Sequence, residues 1–156
     1  MTLKILKIFV CSISISVIII LLLFGYRDMP LKELKSTYAT SVSKFISVHG
    51  MDVHYRDEGV ITDSLPIVLI HGTGASLHTF EDWAIQLKQN RRVIRMDLPA
   101  YGLTGPFPNR DYSMNNYVQF LVKFLDSLGI QKCILGGNSL GGHIAWKTAY
   151  KYPKMV

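Results

Sequence analysis

The sequence predicts an α/β architecture: a mostly parallel sheet with helices on both faces, opened by an antiparallel hairpin and preceded by one transmembrane helix. Three observations carry this. From Phe45 onward, short apolar runs alternate with helix-patterned segments, an order that calls for parallel strands joined by crossover helices. A serine set among glycines, "GGNSLGG" at 136–142, stands where one such run gives way to a helical pattern. An uncharged apolar stretch from Ile8 to Phe24 precedes everything else.

The apolar stretch comes first in the chain. A helix over these positions rises about 25 Å, and snorkelling flanks cover the difference from the ~30 Å hydrocarbon layer. Lys4 and Lys7 lie before it and Arg27 after it. No small-x-small pair follows in "LLLFGYRDMP", which disfavours a cleaved secretory signal. A core helix has no need of an apolar surface all the way round. Residues 1–28 therefore read as a single-pass anchor, spanning about 8–24, with membrane lipid as its partner. Arg27, Lys32, Lys35 and Lys44 balance the amino-terminal lysines, so basic residues do not set the orientation. Long trailing domains translocate largely regardless of charge, so the extracytoplasmic side is the expectation for the rest of the chain.

The formal net charge is +6, of which residues 1–28 hold +2. The remaining basic residues mostly sit beside acids, as in "YRDEG" and "LKELK", which describes a solvated surface and not a nucleic-acid footprint. Cys11 and Cys133 form no disulfide or metal framework, and neither a cofactor nor a metal is expected.

Residues 29–44 read as a linker with a short helical pattern at Leu31, Leu34 and Tyr38. Alternation at Ile46 and Val48, then Met51, Val53 and Tyr55, predicts a hairpin, with Gly50 free to take positive φ in the turn. "PIVLI" at 66–70 reads as a strand buried on both faces and runs into the loop "HGTGAS". In "TFEDWAIQLKQ", Thr79 and Asp82 resemble a helix start, with Phe80, Trp83 and Leu87 on one face. "RRVIRMDLP" is the next strand and "AYGLTGPFPNRDY" a loop. Ser113 caps the longest helix, Tyr117, Phe120, Leu121, Phe124 and Leu128 line its inner face, and Gly129 ends it. "KCIL" then reads as a strand and "GHIAWKTAYKY" as a helix with "IAWKTAY" on its core side.

Gly137-Asn138-Ser139-Leu140-Gly141 is a G-x-S-x-G match on a strand-to-helix corner. A serine there is lifted above the sheet edge in strained backbone, and its neighbours two positions away must be tiny for strand and helix to pass. Leu140 opens the helix, so its N–H points outward at the positive end of the helix dipole. A second donor for an oxyanion comes from "HGTGAS". The interval from His71 to Ser139 fits two crossovers of roughly 30 residues each, which puts both loops on one carboxyl edge of the sheet.

"HGTGAS", "MDLPAYGLTG" and "GGNSLGG", in this order, resemble the α/β-hydrolase family over 45–156, most closely its lid-bearing serine branch. That branch includes carbon–carbon bond hydrolases, small esterases and cofactor-free haloperoxidases. The resemblance implies Ser139 as nucleophile, the N–H groups of Thr73 and Leu140 as the oxyanion hole, and Gly137, Asn138 and Gly141 as the nucleophile elbow. It implies hydrolysis of a small apolar or ester substrate by acyl transfer, or of a related carbon–carbon bond. Relatives with an aspartate nucleophile, the haloalkane dehalogenases and epoxide hydrolases, are disfavoured by the serine at 139. Ala100 departs from the family, which usually has glycine after D-x-P.

The remaining histidines read as structural. His71 orients its loop, His143 lies on the surface or in packing, and His49, His54 and His78 sit on the hairpin and a loop. Asp97 ends a strand and also reads as structural. The fold places an acid and then a histidine after the serine, but "LGGHIAWKTAYKYPKMV" has no Asp or Glu and only His143. The expectation is an N-terminal part of a hydrolase, inert by itself. A non-catalytic binding or scaffold protein of the same fold is the alternative.

Overall fold

The structure, a computed structural model, describes residues 3–25 and 29–156; Arg27, one of the flanking basic residues, lies outside them. Two compact units form, residues 1–33 and 34–156. In the first, α1 (Leu3–Phe24) is a 22-residue helix with a mean hydropathy of 2.8 and no buried residue, long and apolar enough to cross a membrane. Its second half, Val17 to Phe24, is an unbroken apolar run, while Ser12, Ser14 and Ser16 interrupt the first half and Lys4 and Lys7 stand near its start. Next in the chain is α2 (Leu31–Tyr38), which forms where Leu31, Leu34 and Tyr38 recur at helical spacing.

The second unit is built on one five-stranded sheet, ordered β1-β2-β4-β3-β5. β1 (Lys44–Val48) and β2 (Met51–Gly59) make the antiparallel hairpin, closed by His49 and Gly50 at φ 50° and 75°. Both turn residues are left-handed, as a two-residue type I′ hairpin requires, and Gly50 takes this at no steric cost. β2 then pairs antiparallel with β4 (Arg92–Met96), while β3 (Ile67–Ile70) lies parallel to both β4 and β5 (Ile134–Gly137).

Helices cover both faces. On one side α4 (Met114–Ser127) and α5 (Leu140–Lys151) pack Phe120, Leu121, Phe124, Ile144 and Ala145 against Val68, Ile70, Ile94 and Met96. Burying each of the larger side chains contributes about 2 kcal/mol, so α4 is held chiefly by its inner face. Its start is fixed by Ser113, whose hydroxyl accepts the Asn116 N–H at 3.3 Å. On the other side α3 (Glu81–Leu87) joins a smaller cluster of Leu69, Phe80, Ala84 and Val93.

Four sequence expectations are corrected. Thr79 does not start α3: a 3-10 turn at Leu77–Phe80 precedes it, capped by Ser76, and α3 has no side-chain cap. Trp83 is exposed, because α3 meets the sheet through Ala84 and Leu87, packed against Leu69 and Val93, and turns Trp83 outward. The α5 core face is Ile144, Ala145 and Thr148; Trp146 points the opposite way and, like Tyr150, is exposed. β5 begins two residues after Lys132, because the Cys133 N–H donates to Met155 O while Leu69 and Ile70 take Gly136 and Gly137 as partners.

Candidate functional site

The carboxyl ends of β3 and β5 lie side by side, Ile70 opposite Gly137, and both chains turn off the sheet there. The Asn138 N–H donates to Ile70 O at 3.1 Å and ties the two exits together. Ser139 follows at φ 51°, ψ −113°, a conformation in which a residue with a Cβ is strained, and its side chain is exposed. The glycines explain how the corner closes. A Cβ on Gly137 would lie 2.3 Å from the Gly141 carbonyl carbon, and one on Gly141 would lie 2.0 Å from Ile70 O. Any side chain at either position would force helix and strand apart.

The "HGTGAS" loop leaves β3 directly alongside. A Cβ built on Gly72 would sit 3.3 Å from Ser139 Cβ, so the two loops are in contact. Thr73 is exposed on the adjoining residue. Leu140 is the first residue of α5, where an N–H has no acceptor within the helix. Ser139, Thr73 and Leu140 therefore share one sheet edge, with Gly137, Asn138 and Gly141 shaping the corner beneath the serine.

Two further residues hold this edge in place. The ring of His71 is fully buried; its Nδ1 bonds Gly72 O at 2.8 Å and its Nε2 accepts the Leu98 N–H at 2.9 Å. Both nitrogens are thus committed to joining the loop after β3 to the loop after β4. Burial pushes its pKa below the usual histidine value, and the bond to Gly72 and the Asp97 charge oppose this only in part.

Asp97 is the second. Its Oδ1 accepts the Leu77 N–H, and its Oδ2 accepts the Leu103 N–H and meets His54 Nδ1, each at 2.8 Å. Burial pushes this carboxyl up, but the hydrogen bonds from His54, Leu103 and Leu77 outweigh it and hold the pKa below the ordinary value. His54 Nε2 in turn meets Ser43 Oγ at 2.8 Å. This buried Ser43–His54–Asp97 chain was not legible in the sequence as a unit. The antiparallel β2–β4 pairing brings His54 beside Asp97, and only a correct pairing of these two strands would have revealed it.

Among the described residues, no histidine bonds Ser139. His71 and His54 use both ring nitrogens, and so does His78, which bonds Ser76 through Nδ1 and Arg56 through Nε2. His143 is exposed and stacks on Trp146 at 5.4 Å, while His49 sits in the hairpin turn. Among the described residues, no group of three His, Cys, Asp or Glu side chains could hold a metal ion. Ala100, where a glycine was expected, takes φ 70° and leaves the turn intact.

Comparison with known proteins gives this edge its context. The model of the alpha/beta hydrolase fold family matches residues 66–156. Human epoxide hydrolase 4 is 34% identical over 108 residues, covering 69% of this chain and 30% of that protein. The 2-hydroxymuconate semialdehyde hydrolase of Pseudomonas sp. (strain CF600) is 30% identical over 118 residues, covering 74% of this chain and 41% of that protein. This chain therefore spans well under half the length of these curated relatives. Among solved structures, a meta-cleavage product hydrolase from Pseudomonas fluorescens IP01 superposes with a TM-score of 0.68 at 31% identity, covering 74% of this chain and 42% of that one. A membrane phospholipase A has the same fold, with a TM-score of 0.70 at 24% identity, covering 99% of this chain and 50% of its own. The chain belongs to the alpha/beta hydrolase fold family.

Proposed function

We propose that these residues carry the nucleophile and oxyanion hole of a membrane-anchored serine hydrolase. The observation that carries this is the exposed, positive-φ Ser139 on a glycine-cleared corner, in contact with the loop that holds Thr73. Ser139 Oγ attacks the carbonyl carbon of an ester. Charge then gathers on the carbonyl oxygen, within reach of the Thr73 and Leu140 N–H groups, and a removed donor of this kind typically costs about 10²–10³ in rate. Collapse breaks the ester C–O bond: the alcohol leaves with a proton, and water then releases the acid from the acyl-serine. Relatives named as hydrolases support hydrolysis in general. A serine at 139 supports acyl transfer, to an ester or a related carbon–carbon bond, over the aspartate chemistry of the disfavoured branches.

The serine proton needs a base, and residues 140–156 offer no carboxylate and only His143. The reading therefore concerns the protein that carries these residues; alone, they supply the nucleophile and not its partners. A binding or scaffold role of the same fold is the second reading. α1 supports a single-pass anchor; the extracytoplasmic side for the following residues rests only on the tendency of long trailing domains to translocate. The test is turnover of p-nitrophenyl acetate and butyrate. Activity in membranes holding the protein should vanish in Ser139→Ala, and residues 29–156 alone should show no serine-dependent turnover. Equal turnover by Ser139→Ala would leave the binding reading standing.

A further inference from the structure

A cavity of about 370 Å³ opens among loops that leave the carboxyl edge of the sheet, lined by Leu34 and Tyr38 of α2, Ser76 and His78 of the loop after β3, and Asp97, Gly102 and Leu103 of the loop after β4. We infer that it holds a hydrocarbon chain, the acyl chain of a membrane lipid. This rests on the reading of Ser139 as an acyl-transfer nucleophile and names the substrate class of that site.

The wall chemistry selects an apolar occupant. Four polar side chains reach the cavity; the protein already engages three of them, and the fourth, Tyr38, is half exposed. Asp97 accepts the N–H groups of Leu77 and Leu103 and bonds His54. Ser76 Oγ bonds the Nδ1 and N–H of His78, and His78 Nε2 meets the Arg56 guanidinium at 3.1 Å. Leu34, Leu103, the Tyr38 ring and the Gly102 backbone supply the rest of the lining. A polar ligand entering here would lose its water and find those groups occupied.

Size and position agree. A dry cavity of about 150 Å³ takes one benzene, so this one takes roughly 12 to 15 carbons. Its α2 wall follows the apolar α1 in sequence and is pinned to the hairpin: Lys35 Nζ bonds Asp52 at 2.6 Å and lies 4.2 Å over the Phe45 ring. Its second wall is the loop that also carries Thr73 and, at Gly72, touches Ser139.

The probes are lauric acid with a terminal diazirine and a phosphatidylcholine bearing the same acyl chain, each irradiated with the full chain in membranes. Adducts should map to peptides containing Leu34, Tyr38 or Leu103, compete with unlabelled laurate, and fall at least tenfold in Leu103→Trp and in Leu34→Trp. Labelling by the phosphatidylcholine identifies a lipid ester as the occupant, and labelling by free laurate alone identifies its released acid. Ser139→Ala should keep the adducts while losing ester turnover, so the cavity and the nucleophile can fail separately. Adducts confined to α1, or undiminished in both tryptophan variants, would overturn the inference.

Discussion

Ser139 sits in backbone that costs of order 1–3 kcal/mol to hold, and nothing in the packing of β5 or α5 requires a side chain there. Its strain is the cost of exposing a hydroxyl at the sheet edge. Ser139→Gly should therefore raise stability by about 1 kcal/mol in urea denaturation, glycine's added freedom in the unfolded chain offsetting part of the gain. A loss of stability would show the corner to be unstrained. His71 makes a second prediction at this scale. Its folded pKa lies below the unfolded value, so the unfolded chain takes up the proton first. Stability is then full above about pH 6.5 and declines as pH falls toward the folded value. The lowered pKa of His78 acts in the same direction. His71→Gln, which offers a donor and an acceptor but no titration, should flatten the fall in urea midpoint below about pH 6.5. An unchanged slope would assign the dependence elsewhere.

At the scale of elements, α4 was the most legible. Tyr117, Phe120, Leu121 and Phe124 repeat at helical spacing, and the structure buries all four, with Ser113 and Gly129 at the ends as expected. The corner was legible for a different reason, since steric exclusion at Gly137 and Gly141 writes itself directly as glycine. α3 and α5 were misread on their outer faces: an aromatic residue at helical spacing does not say which side the sheet lies on, and Trp83 and Trp146 face away from it. The Ser43–His54–Asp97 chain depends on which strands pair across a long separation, and no local pattern encodes that. α1 carries its own prediction. Long and apolar enough to cross a membrane, it should keep the protein in the membrane fraction through carbonate washing. Intact chain in the soluble fraction would refute the anchor, and a shortened soluble chain would indicate cleavage.

Across the whole molecule, five strands and the helices on both faces bring residues distant in sequence to one sheet edge. β3 leads into the loop that holds Thr73, and β5 leads into Ser139 and the start of α5 at Leu140. His71 and Asp97 lock the intervening loops with buried hydrogen bonds and so hold the edge in place. Its order in the sequence was readable because crossover lengths in parallel sheets vary little. The cavity was not, because it is assembled from α2 and two loops whose approach only the fold determines. The central claim is that Ser139 is a nucleophile, and a fluorophosphonate probe applied to native membranes tests it most directly, with the adduct mapped by mass spectrometry of the digested protein. The account predicts a single phosphonylated peptide, modified at Ser139 and absent from Ser139→Ala; equal labelling of the two proteins, or an adduct on another serine, would contradict it.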